Sequence, residues 1–260
     1  MLSLEKVIEN ARLWAREAGK VQMQYLGKSH LINTKSNAID LVTEADRLSE
    51  QLILEGIQGS YPEHSILSEE RGSNEVESDY RWVIDPLDGT TNYAQGLPNF
   101  AVSIALQYQE KTILGVVYGP VRDQMFEAVK GEFASLNGRK IKVGSKTNLM
   151  ECVLATDFPY DRAVHPDNNV NYTVRILPKV RGLRQMGSAA YDLANVAAGI
   201  LDGYWELNLN PWDVAAGALV VEEAGGCVHY LTEKRGVSLI AGNSIICGKI
   251  LDEIINEDKS

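Results

Sequence analysis

The chain has 260 residues, 45% of them hydrophobic, with a formal net charge of -10 and a pI near 5.0. That is enough apolar material for one sizeable core or two small ones. The acidic balance argues against broad affinity for nucleic acid or anionic membranes, and it suits clustered carboxylates that a cation neutralises.

Leu4, Val7, Ile8, Ala11, Trp14, Ala15, Ala18 and Val21 recur at helical spacing, so an amphipathic helix opens the chain with Ser3 as its N-cap. Glu5, Glu9 and Glu17 run through that pattern, which is unlike a signal peptide. Residues 27–39 are polar and irregular and contain Lys35. Thr43-x-x-Asp46 then reads as a capping box for a helix continued by Leu48, Leu52, Ile53 and Ile57. A turn at Tyr61-Pro62-Glu63-His64 leads to a short strand, Ser65 to Leu67, ending in Ser68-Glu69-Glu70-Arg71-Gly72. Residues 73–79 read as a loop.

The central stretch is Trp82-Val83-Ile84-Asp85-Pro86-Leu87-Asp88-Gly89-Thr90-Thr91-Asn92. Its apolar start predicts a buried strand, stopped at Asp85-Pro86 because proline has no N–H for a ladder. Two carboxylates follow three residues apart, and Gly-Thr-Thr-Asn is both a turn and a helix start. Carboxylates bind hard cations, and free N–H groups at a helix start bind phosphate. Together they point to a metal-dependent phosphate site, although Asp-x-x-Asp-Gly taken alone is also an ordinary polar turn.

Phe100 to Tyr108 and Thr112 to Tyr118 predict a hairpin. Further strands are expected at Met125 to Val129, Glu132 to Leu136 and, after the Asn137-Gly138 turn, Lys140 to Val143, in a largely antiparallel sheet. Polar residues 144–149 are read as a boundary between an α+β subdomain, residues 1–144, and an α/β subdomain, residues 145–260. Beyond it come a strand at Cys152 to Thr156, a polar loop over 157–172 and a strand at Leu183 to Met186. A helix opens at Gly187-Ser188, Tyr204 to Leu207 is strand-like, and Pro211-Trp212-Asp213 begins a helix that stops at Gly225-Gly226. Strands at Cys227 to Leu231 and Ser238 to Ala241 and a helix from Ser244 to Ile255 complete a mixed, layered pattern.

These residues resemble the inositol monophosphatase family. Trp82 to Asn92 is similar to its signature W-x-[IV]-D-P-[LI]-D-G-T-x-N, and Trp212 to Gly217 to its second, W-D-x-A-A-G. Glu69-Glu70 stands upstream of the first, and Lys35, Asp40 and Asp46 occupy family-like positions. Tyr93 stands where the family usually has Phe. The resemblance runs nearly end to end and implies an α+β, layered αβαβα fold and a lithium-sensitive, magnesium-dependent phosphatase with two to three ions. It implies that Glu69, Asp85 and the Leu87 carbonyl hold one ion and that Asp85, Asp88 and Asp213 hold a second, with a third, weaker one near Glu69. It further implies that Gly89 and Thr90 N–H groups take the phosphate, that Asp46 and Thr90 orient the attacking water, and that Glu206 and Ala189 face the substrate alcohol. Such residue types suit the chemistry, because two ions about 4 Å apart neutralise a phosphate dianion, activate water and stabilise the leaving alkoxide.

Other chemistries find little support. G-x-x-x-x-G-K-[ST], G-x-S-x-G and H-E-x-x-H are missing from the sequence, and four scattered histidines read as surface or core residues. Cys152, Cys227 and Cys247 fit neither a zinc spacing nor a disulfide framework and read as reduced thiols of a cytoplasmic protein. Lys179, Arg181 and Arg184 form a basic cluster that reads as a solvated strand edge, with a second phosphate contact as the functional option. The expected substrate is myo-inositol 1-phosphate. The rivals are fructose 1,6-bisphosphate, the 2'-phosphate of NADP and adenosine 3',5'-bisphosphate, and the alternative class is a protein-binding role. A homodimer is expected, with neither membrane nor direct nucleic-acid binding.

Overall fold

The computed structural model describes residues 3–27, 32–34, 41–74, 76–232 and 234–255. Helix α1, Leu4–Tyr25, buries Val7, Ala11, Trp14, Ala15, Ala18 and Gln22 on one face. Ser3 occupies its N-cap position, yet its hydroxyl accepts no capping bond, and the first turn closes through the Val7 amide on the Ser3 carbonyl at 3.1 Å. Within the stretch expected to be irregular, β1, Ile32–Thr34, pairs antiparallel with β2, Leu41–Thr43. Lys35 and Asp40 lie outside the described residues. Helix α2, Glu44–Ser60, starts on the Thr43/Asp46 capping box that the sequence announces.

Next come β3, Ser65–Ser68, β4, Gly72–Ser73, β5, Tyr80–Asp88, the short helix α3, Thr90–Gln95, β6, Ala101–Tyr108, and β7, Lys111–Gly119. β8, Gln124–Val129, β9, Ser135–Leu136, and β10, Arg139–Lys140, follow. β9 and β10 are much shorter than the sequence suggests, although the Asn137-Gly138 turn between them forms with φ of 50° and 75°. β5 does not stop at Pro86. A register shift between Asp85 and Asp88 against β6 accommodates the missing N–H, so both acids stay on the strand.

The second half supplies β11, Val153–Thr156, α4, Val170–Ile176, β12, Gly182–Arg184, α5, Ala189–Ala197, β13, Gly203–Leu209, α6, Pro211–Glu223, β14, Cys227–Tyr230, β15, Val237–Gly242, and α7, Ser244–Ile255. The expected 157–172 loop gives way to α4 at Val170, and the strand expected to reach Met186 ends at Arg184.

An eight-stranded sheet has the order β10-β9-β8-β7-β6-β5-β3-β4, antiparallel except for β3 beside β5. A five-stranded sheet has the order β12-β11-β13-β15-β14. Helices α1 and α2 pack on one face of the first sheet around Trp14, Ile53, Ile57, Trp82 and Ile104. α5 and α6 fill the space between the sheets, and α4 and α7 cover the outer face of the second. The result is an α+β, αβαβα layering. The middle layer follows from composition: Val214 to Val221 are all buried, so α6 is apolar all round and must be covered on both sides. Gly115 lets it approach, since a Cβ there would lie 2.7 Å from the Ala216 carbonyl oxygen. Among the described residues no helix is long and apolar enough to cross a membrane.

Candidate active site

The acids singled out in the sequence converge where β3, β5, α2, α5, α6 and β13 meet. Asp46, at the start of α2, is wholly buried. Its Oδ2 accepts the Thr43 amide at 2.8 Å and the Thr43 hydroxyl at 2.5 Å, and its Oδ1 accepts the Thr90 hydroxyl at 3.1 Å. Burial raises its pKa to about 7 against those Thr43 bonds, with the charges of Glu69 and Glu70 adding to the rise. One carboxylate therefore caps a helix and reaches the central motif.

Glu69 follows β3, with its amide on the Ile84 carbonyl at 3.2 Å. The turn that carries it is held from α2 by the buried Glu50. Its Oε1 accepts the Ser68 hydroxyl at 2.5 Å and the Glu70 and Arg71 amides at 3.2 and 3.0 Å. Glu50 is a residue the sequence reading missed. Its signal was an acid among Asp46, Ile53 and Ile57 on the apolar face of a helix.

Asp85 is buried and turns back on its own strand, Oδ1 accepting the Leu87 amide at 2.9 Å. Burial drives its pKa well above the ordinary range, reinforced by the charges of Glu69, Asp88 and Asp213. Asp88 Oδ2 accepts the Ser188 hydroxyl at 2.6 Å and the Ala190 amide at 2.8 Å, so the first turn of α5 grips it. Burial still raises it to about 7. Ala189 lies buried between those two donors. Asp213, in the first turn of α6, accepts the Asn210 amide at 2.7 Å, and burial followed by the charge of Asp88 raises its pKa well above normal.

Gly89 links the acids to α3 with φ of 93°, and a Cβ there would lie 2.9 Å from the Gly187 carbonyl and 3.0 Å from that of Asn99. The Thr90 hydroxyl also lies 3.2 Å from the Leu87 carbonyl, so its single proton has two acceptors. Asn92 ties this turn to the approach to α5 through the Asn99 and Met186 carbonyls at 2.7 and 2.6 Å. Gln22, a polar residue at helical spacing from Ala15 and Ala18, donates to the Pro86 carbonyl at 2.7 Å. The Tyr93 hydroxyl donates to the Gln22 carbonyl at 2.7 Å, a bond unavailable to phenylalanine at this position.

Glu206, on β13, is buried beside Tyr204, whose hydroxyl it contacts. Burial raises it well above normal, followed by the charge of Asp157, with Asp213 and Asp88 also acting on it. Arg184 is exposed on edge strand β12 with its Nη1 on the Leu183 carbonyl at 3.0 Å. Lys179 pairs with Glu253 at 2.6 Å. His64 accepts the Trp82 indole at 3.1 Å and stacks on Tyr61 and Tyr80, as a structural histidine should.

The donor set, carboxylates and the Leu87 carbonyl, is all oxygen and suits a hard divalent ion. As the side chains stand, no three of the described Asp, Glu, His and Cys residues are grouped so that they could hold one without movement. The mutual repulsion of buried Asp85, Asp88 and Asp213 is what a cation relieves, so the residues fit magnesium in their chemistry.

The comparisons point the same way. Residues 3–259 match the model of the inositol monophosphatase family. A Synechocystis sp. protein named inositol-1-monophosphatase is 47% identical over 212 residues, 81% of this chain and 74% of that protein. The protein named Nus factor SuhB of Pasteurella multocida is 42% identical over 247 residues, 94% of this chain and 92% of that one. The crystal structure of the extragenic suppressor protein suhB from Bartonella henselae superposes with a TM-score of 0.90 at 36% identity, covering 97% of this chain and 99% of that one.

Proposed function

The chain belongs to the inositol monophosphatase family, and from that premise we propose that it hydrolyses a polyol phosphate monoester, by default myo-inositol 1-phosphate, with magnesium and water. The observation that carries this reading is the convergence of Glu69, Asp85, Asp88 and Asp213 into one mutually repelling cluster beside the Gly89 turn. Glu69, Asp85 and the Leu87 carbonyl would hold one magnesium ion and Asp85, Asp88 and Asp213 a second, with a third, weaker one near Glu69. Bound there, magnesium supplies positive charge to a phosphate dianion, lowers the pKa of water and stabilises a leaving alkoxide.

The chain's own groups do the rest. Gly89 and Thr90 direct backbone N–H groups at phosphate oxygens. Asp46 and Thr90 orient the attacking water, and a carboxylate lifted to about 7 by burial suits proton uptake near neutral pH. Asp85 and Asp88 serve as ligands rather than nucleophiles, so attack is in line and leaves no phosphoenzyme. Glu206 and Ala189 face the alcohol. Lithium is expected to inhibit at this site.

The test is phosphate release with magnesium against EDTA on inositol 1-phosphate, fructose 1,6-bisphosphate, NADP and adenosine 3',5'-bisphosphate. Magnesium-dependent release, highest on inositol 1-phosphate, is the expected result, and no release from any of them would refute the reading. A second reading, a protein-binding role, is favoured by the relative named Nus factor. It would survive Asp88→Asn, which abolishes turnover.

We further propose a cytoplasmic homodimer built on the exposed apolar stripe of Val170 and Val174 on α4 and Leu177 just past its end. Two subdomains, 1–144 and 145–260, fit the way the sheets fall in the two halves. Cleavage within 144–149 should leave an associated pair, and dissociation on cleavage would argue against that division.

A further inference from the structure

Asp157 follows β11 directly. β11 and β13 run parallel with Thr156 level with Trp205, so Asp157 and Glu206 are the next residues of adjacent strands and share a face. Asp157 is firmly held. Its Oδ2 accepts the Gly187 amide at 2.9 Å, the Gln185 side chain also bonds it, and its backbone carbonyl accepts the Asn169 side-chain Nδ2 at 2.6 Å. Asn169 is fixed in turn by Thr156 and by the Trp205 indole, each at 2.7 Å. Gly187 directly precedes the turn that grips Asp88, so one segment orients both acids. Asp192, on the same segment, is 0% exposed and neither of its oxygens is bonded. The charge of Asp157 acts on Asp192, Glu206 and Tyr204 alike.

From this juxtaposition we infer that Asp157 is a specificity-determining residue of the leaving-group subsite: beside Glu206 it offers hydrogen-bond acceptors, selects a neutral leaving group with adjacent hydroxyls, and rejects a substrate carrying a second phosphate. The inference rests on the phosphatase reading above. A diol both donates and accepts, so it can pair with the Asp157 and Glu206 carboxyls together. A second phosphate brings only acceptors, and its negative charge would face Asp157 in a site lined by acidic groups, and such a repulsive element is how a site discriminates. Arg162 also acts on Asp157, but it is exposed and donates to the Pro159 carbonyl at 3.3 Å.

The experiment compares kcat/KM of wild type, Asp157→Asn and Asp157→Ser, with magnesium, on inositol 1-phosphate, fructose 1,6-bisphosphate and p-nitrophenyl phosphate. The last has no hydroxyls on its leaving group. Each value is divided by that for p-nitrophenyl phosphate, which removes any loss of folded protein. The inositol ratio should fall about 10- to 100-fold, mainly through KM, which is the scale of one lost charge-assisted hydrogen bond. The bisphosphate ratio should rise. Unchanged ratios in both variants, or a wild-type preference for the bisphosphate, would overturn the inference. A wild-type protein that hydrolyses none of the three fails at the phosphatase reading, and the inference falls with it.

Discussion

Asp88→Asn should destroy activity and yet stabilise the metal-free protein. Asp88 is 8% exposed, and burial lifts its carboxyl from an ordinary 3.8 to about 7 even with Ser188 and Ala190 donating to it. A raised carboxyl pKa means that the folded state holds the proton more tightly than the unfolded one. Stability therefore falls as pH climbs from about 4 to about 7, and the full penalty stands above that range. A shift of this size corresponds to about 4 kcal/mol. Asparagine keeps an acceptor for Ser188 and Ala190 and carries no charge. Burying its amide returns about 1–2 kcal/mol of that gain. The net is about 2 kcal/mol in favour of the variant near pH 8, a rise in Tm of about 4–8 °C for a chain of this length. Scanning calorimetry in EDTA at about pH 8 and about pH 5 tests it, with the difference shrinking at the lower pH. Magnesium should raise the Tm of wild type by more than that of the variant, which keeps Glu69, Asp85 and the Leu87 carbonyl but loses a ligand of the second ion. A variant less stable than wild type in EDTA at the higher pH, or equally shifted at both, would refute the reasoning that uncompensated charge dominates this site.

Gly89→Ala forces a side chain onto φ of 93° and against the Gly187 and Asn99 carbonyls. Left-handed strain alone is about 1–2 kcal/mol, so urea denaturation should show a loss of at least that, accompanied by loss of turnover. Glu50→Ala strands the Ser68 hydroxyl and two backbone amides. It should cost about 3 kcal/mol and raise the magnesium concentration for half-maximal rate, because Glu69 rides on that turn, and an unchanged metal requirement would separate Glu50 from the site. Val174→Asp, at a position 64% exposed on α4, should convert the proposed dimer to monomer by light scattering, and a dimer that persists puts the interface elsewhere.

Element types were legible where the signal is local. The Thr43-x-x-Asp46 box, the Asn137-Gly138 turn and the all-apolar α6 each announce their structure through neighbours within a few residues, because capping, turn geometry and burial periodicity act at that range. The two signatures likewise carried Asp85, Asp88 and Asp213, with Glu69 upstream of the first, and the structure brings the four within electrostatic reach of one another. Tertiary structure decided the rest. Pro86 reads as a strand stop, yet β5 passes through it because a register shift against β6 absorbs the missing donor. Glu50, Gln22 and Asp157 look like ordinary polar residues until their partners are known: the 68–71 turn, the Pro86 carbonyl and the Gly187 amide lie well away in sequence. Hydrophobic patterning brings layers together without direction, and the hydrogen bonds that aim particular carboxylates form only between segments the fold has already made adjacent.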